Sequence, residues 1–88
     1  MTHIASTALA KRANAVILEL VSRLQEQNLN GSASLRDDLA IDSLTMMSIA
    51  FRLEEEFGFE LVQHAERIAT IATLDDLYLF LERVQCAR

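Results

Sequence analysis

The pair Asp42-Ser43, at the head of a strongly periodic apolar run, is where this chain could do chemistry. Asp42 is a favoured N-cap residue, and no Gly or Pro interrupts the chain from Ser43 until Gly58, so a helix is expected over about 43 to 57. Ser43 then lies in the first helical turn. Unpaired backbone N–H groups and the positive end of the helix dipole meet there, a setting that favours a phosphate esterified to the serine oxygen. The hydroxyl is a poor nucleophile without a base, and no histidine is close to it in sequence, so an outside catalyst must drive any transfer to it. No His and Asp arrangement or oxyanion glycine cluster accompanies the serine, which places a small hydrolase last among the readings.

Other reactive residue types offer less. Cys86 stands three residues from the C-terminus, where chains fray, and is read as an idle free thiol; a single cysteine forms no internal disulfide, which fits a reducing compartment. His3 falls in the N-terminal tail and His64 in a connecting loop, and two histidines with one cysteine give no metal-ligand spacing. No metal site is expected.

The elements that must position Ser43 are helical. Apolar residues at Leu9, Ala13, Val16, Ile17, Leu20, Val21 and Leu24 predict a first helix from about Thr7 to Gln27. Asn28 to Ile41 carries the breaker cluster Asn30-Gly31-Ser32, then Leu35, Leu39 and Ile41, which pin a long loop onto the bundle and deliver Ser43. A turn or two of helix is expected from His64 or Ala65 to about Ala69. A last helix is expected from Leu74 to about Gln85, capped by Thr73 with Asp75 and Asp76 in its first turn and with Leu74, Leu77, Tyr78, Leu81 and Val84 facing inward. The fold expected is an all-α four-helix bundle, three longer helices and a short third one, with a long loop between the first and second.

Projected at 100° per residue, the second helix has two apolar arcs. Met46, Ile49, Ala50, Leu53 and Phe57 gather on one, the core face. Leu44, Met47 and Phe51 form another, flanked by Ser43, Ser48, Glu54 and Glu55, with no obvious internal partner. Packing under the loop or the third helix would account for this stripe; a docking strip with an acidic rim is the preferred reading, since methionine adapts to varied surfaces.

Eighty-eight residues make one domain with a marginal core, and half the residues are hydrophobic with no proline and two glycines, which favours helices over sheet. No segment is long enough to span a bilayer. Glu19 breaks the run Ala15-Val16-Ile17-Leu18 after Lys11 and Arg12, so a signal peptide is rejected and a cytoplasmic location is the default. Residues 1 to 34 carry three cations against two acids, whereas residues 35 to 88 carry five arginines against eleven acids, which together give the net charge of −5. Such a surface repels nucleic acid and suits partners with basic patches.

Asp42-Ser43-Leu44, the acidic Leu53-Glu54-Glu55-Glu56-Phe57-Gly58 and the run Ile71-Ala72-Thr73-Leu74-Asp75-Asp76-Leu77 together resemble the acyl carrier proteins, over roughly residues 29 to 84. That resemblance implies a single carrier domain over residues 1–88, with its core at about 7–85, that does no chemistry alone. Ser43, beside Asp42, would carry 4'-phosphopantetheine placed there from coenzyme A by a phosphopantetheinyl transferase. Acyl intermediates would be held as thioesters on the arm's thiol, which raises their effective concentration at each partner active site. The resemblance also assigns partner recognition to Leu44, Met47, Phe51, Glu54 and Glu55, with Glu56 completing the rim. The partners implied are acyl-loading, ketosynthase or acyltransferase-type enzymes. A buried acyl chain would be surrounded by Met46, Ala50, Leu53, Leu61, Ile68 and Ile71, residues that are otherwise plain core.

The chain departs from the family pattern at several positions. Thr45 and Ser48 stand where many carriers of fatty acid synthesis have acids, Ala40 where Gly is common, and Leu61-Val62-Gln63-His64 lacks a frequent proline. The thinner negative charge around Ser43 favours a dedicated pathway over general fatty acid synthesis; fatty acid, polyketide and specialised lipid synthesis all stay open. So do an aminoacyl or peptidyl carrier, against which Asp42 leans, and a helical adaptor that binds through Leu44, Met47 and Phe51 without a prosthetic group. The polar N-terminus and early helical start read as a complete protein. A monomer is expected of a carrier that visits several enzymes.

Overall fold

Leu9, Ala13, Val16 and Ile17 recur at helical spacing and bury along one side of α1 (Thr7–Leu20) in the computed structural model, which describes residues 7–86. The chain then forms a 3-10 turn (Glu26–Asn28), α2 (Ser43–Phe57), a second 3-10 turn (Leu61–His64), α3 (Ala65–Ala69) and α4 (Leu74–Cys86). Four α-helices and no strand occur among the described residues; one isolated antiparallel bridge joins Ser34 to Thr73. His3 lies outside those residues. α1 packs against both α2 and α4, while α3 packs against α4 and the turn before it.

α1 stops at Leu20 rather than near Gln27, against the sequence expectation. The Val21 amide still donates to Ile17 at 2.8 Å, so Val21 stays buried, but Leu20 is left exposed and Leu24 half-buried. Past that point the helical ladder gives way to a tighter bond, Leu24 N–H to Val21 at 3.0 Å, and the Arg23 guanidinium donates to the backbone carbonyls of Leu39 and Ala40. Asn28 then accepts the Gln25 amide through its side chain, so the next turn closes on itself.

The segment between α1 and α2 is held by apolar anchors and by α4. Leu29, Ala33, Leu35, Leu39 and Ile41 are all buried in the common core with Leu53, Phe57 and Leu81. Backbone bonds from Leu35 to Ala72 (2.9 Å), from Leu74 to Ala33 (3.2 Å) and from Asp75 to Gly31 (2.8 Å) tie it to the start of α4. A Cβ on Gly31 would meet the Asp75 carboxylate, so a larger residue there would make that side chain swing aside. α4 begins with a reciprocal cap: Asp76 N–H donates to Thr73 Oγ1, and Thr73 N–H and Ala72 N–H donate to Asp76 Oδ2. α2 ends at Gly58, left-handed at φ 73°, whose N–H donates to Glu54 at 2.9 Å.

Candidate functional site

Ser43 is exposed at the first position of α2, a helix of 15 residues. Asp42 is extended and its carboxylate accepts the Thr45 amide at 2.8 Å, while its carbonyl accepts Met46 N–H at 2.9 Å. The N–H groups of the first two helical residues have no partner within a helix, so they lie open beside the Ser43 oxygen. Hydrogen bonding from Thr45, and after it the positive charge of Arg23, holds the Asp42 carboxyl below the usual carboxylate value. The cap is therefore charged near neutral pH and adds negative charge next to the serine.

Ser43 and Asp42 border a groove of about 910 Å³ that runs between α2 and the 61–72 segment. Met46 and Ala50 form its α2 side, and Leu61, Ile68 and Ile71 the opposite side. Five of the six residues expected around a cavity thus share one opening. Leu53 is set apart: it is 1% exposed, inside the core, and does not border the groove.

Met47 and Phe51, at 49% and 53% exposure, also border the groove, so the outer stripe of α2 is its rim. Leu44 stands outside it at 78% exposure. Val62, 83% exposed, borders the groove from the 3-10 turn, and nothing in the residue pattern singles it out.

The acids of α2 are partly engaged. Glu54 accepts the Leu61 amide at 2.8 Å and so ties the second 3-10 turn to α2. Glu55 lies 3.8 Å from Arg52, which also meets Glu19 at 3.0 Å, and Glu56 lies 3.5 Å from Arg12. Ion pairs this exposed exchange readily for other partners. His64 ends the 3-10 turn with its ring edge-on to Phe59 and Phe80, at 5.9 and 5.4 Å, a packing role rather than a loop position. Among the described residues no cluster of His, Cys, Asp or Glu could hold a metal ion, and no helix is long and apolar enough to cross a membrane.

Comparison with known proteins bears on which family has this serine at a helix start beside an apolar groove. A family profile described as "Phosphopantetheine attachment site" matches residues 15–81. The chain is 30% identical over 71 residues to proteins named meromycolate extension acyl carrier protein from Mycobacterium leprae, Mycobacterium tuberculosis and Mycolicibacterium aurum. That stretch is 81% of this chain; it is 60% of the two Mycobacterium proteins and 71% of the M. aurum one. The chain thus spans under two thirds of the length of the Mycobacterium relatives. It belongs to the acyl carrier protein family, whose members carry a covalently attached 4'-phosphopantetheine and are carriers rather than enzymes. The site fits such a group: an exposed hydroxyl, open backbone donors for a phosphodiester and an apolar groove meet at one helix end.

Proposed function

We propose that this chain is an acyl carrier whose attachment residue is Ser43. The observation that carries the proposal is the exposed Ser43 hydroxyl at the capped start of α2, on the border of a groove of about 910 Å³. Asp42 fixes the first turn, and the free amides of that turn receive the phosphodiester oxygens. When bound, the prosthetic group supplies a long arm with a terminal thiol for acyl cargo. Met46, Ala50, Leu61, Ile68 and Ile71 shield an acyl chain from water in the groove.

The proposal takes the chain as one carrier domain, a four-helix bundle in which segment 21–42 delivers Ser43. Its partners are a phosphopantetheinyl transferase and acyl-loading, ketosynthase or acyltransferase-type enzymes with basic patches. These dock on Leu44, Met47 and Phe51, with Glu54 and Glu55 exchanging their present contacts for partner cations. Val62 joins that face from across the groove. The relatives' names favour acyl over aminoacyl cargo, in fatty acid, polyketide or specialised lipid synthesis. A monomer in the cytoplasm suits a carrier that must show the same face to each enzyme in turn.

Intact mass after incubation with coenzyme A and a broad-specificity phosphopantetheinyl transferase tests the assignment. One added phosphopantetheine on the wild type and none on Ser43→Ala supports it. Addition to Ser43→Ala moves the attachment elsewhere, and no addition to folded wild type with several transferases leaves the adaptor as the better account.

A further inference from the structure

Ala40, three residues before Ser43, has φ 53°, the left-handed region that a residue with a Cβ adopts at a cost and glycine does not. Its two neighbours hold the turn in place. Leu39 and Ile41 are both buried, at 2% and 4% exposure, with the exposed Ala40 between them, so the turn is anchored in the core on both sides. Ile41 N–H donates to Leu35 at 2.8 Å and Leu39 N–H to Ser34 at 3.0 Å, which secures the amide side of the bend. On the carbonyl side, one nitrogen of Arg23, Nη2, donates to Leu39 at 2.7 Å and to Ala40 at 2.9 Å.

We propose that Arg23 is a positioning residue for Ser43: by bridging the Leu39 and Ala40 carbonyls it holds the left-handed turn that sets the direction in which Asp42 and Ser43 enter α2. The path from clamp to hydroxyl is short. Ala40 leads through the buried Ile41 to Asp42, whose carboxylate closes the first helical turn on Thr45. The Arg23 charge also reaches the Asp42 carboxyl, so the same side chain acts on both the bend and the cap. Arg23 touches neither the groove nor the serine.

The proposal rests on Ser43 as the attachment residue for its kinetic readout and is independent of it for its spectroscopic one. In the transfer, Ser43 Oγ forms a bond to the pantetheine-side phosphorus of coenzyme A. The pyrophosphate P–O bond breaks, adenosine 3',5'-bisphosphate leaves, and the serine proton passes to the transferase's base. Loss of the clamp spreads the serine over several orientations and lowers kcat for this step. KM for the carrier stays near its wild-type value, because the docking strip on α2 is unchanged.

The experiment compares wild type, Arg23→Gln, Arg23→Lys, Ala40→Gly and the double variant Arg23→Gln/Ala40→Gly. Circular dichroism and thermal melting verify folding, steady-state transfer from coenzyme A gives kcat and KM, and hydrogen exchange reads the Thr45 amide. Arg23→Gln is expected to lower kcat about tenfold, with Arg23→Lys in between. The glycine restores the rate to within about threefold in the double variant, because it adopts φ 53° without a clamp. Thr45 protection falls in Arg23→Gln and returns in the double variant. A kcat for folded Arg23→Gln within about twofold of wild type, or a loss the glycine does not restore, overturns the proposal. If Arg23→Gln does not fold, Arg23→Lys and its glycine double carry the same comparison. If wild type takes no phosphopantetheine at all, the Ser43 reading fails separately, and Thr45 protection then decides the clamp: restored by glycine, it stands; unchanged throughout, it falls.

Discussion

The two apolar faces of α2 have similar side chains and opposite surroundings. Ile49, Leu53 and Phe57 are almost wholly removed from water against α1 and the core, whereas Met47 and Phe51 stand half-exposed at the rim of a groove. The inner face meets a long helix that brings its own apolar stripe. The outer face meets a 3-10 turn of four residues and a helix of five, too short to close over it. Apolar side chains left uncovered in this way mark a surface that something else covers, and the outer face of α2 is where the carrier reading places the partners, beside the groove that takes the cargo.

Substitutions on the two faces should separate stability from function. Leu53→Ala is expected to cost about 2–5 kcal/mol in urea unfolding, whereas Phe51→Ala changes stability by less than about 0.5 kcal/mol. Phe51→Ala should instead weaken partner binding, by about 1 kcal/mol or more in a titration. Equal stability losses would erase the distinction between the faces. Ile68→Trp, which fills the groove from α3, should leave pantetheinylation intact and speed hydrolysis of a long acyl chain roughly tenfold, equivalent to withdrawing about two methylenes from burial. An unchanged hydrolysis rate would remove the groove from the cargo's path.

Two smaller effects belong to the scaffold. Tyr78 donates to Asn14 at 2.6 Å, linking α4 to α1, and burial first of all pushes its phenol above the ordinary value. Tyr78→Phe is expected to cost about 1 kcal/mol, read from the urea midpoint, without altering transfer to Ser43. The Asp42 carboxyl is held below its ordinary value of 3.8, so its contribution is present above that pH and is lost as the pH falls through the folded value. Melting temperature against pH should therefore fall less steeply below pH 3.8 for Asp42→Asn than for wild type.

What the sequence could reveal was local. The bounds of α2 and α3, the Thr73 cap and the inward residues of α4 follow from periodicity and capping types, and the structure has them where the pattern placed them. The end of α1 does not follow, because Val21 and Leu24 continue the helical pattern, and neither do the bonds from Arg23 to residues 39 and 40, which join separate parts of the chain. Leu53, which the family resemblance puts beside a buried acyl chain, belongs to the core, because helical projection tells inward from outward but not core from cavity. The Glu54 bond to Leu61 and the ring cluster of His64 are likewise invisible to spacing, as each joins residues on separate elements.

The wall of the groove is a mechanically soft part on a stiff frame. Residues 61–69 lack the length to hold a helix alone, so their stance depends on a few anchors: the Glu54 carboxylate on the Leu61 amide, the edge-on rings of Phe59, His64 and Phe80, and the packing of Leu61 and Ile68 on the core. Such a wall can be retuned residue by residue, widened by a smaller Leu61 or Ile68 or tightened by a larger one, while the packing of α1, α2 and α4 is left untouched. The capacity of the groove is thus a parameter that can drift separately from the stability of the fold.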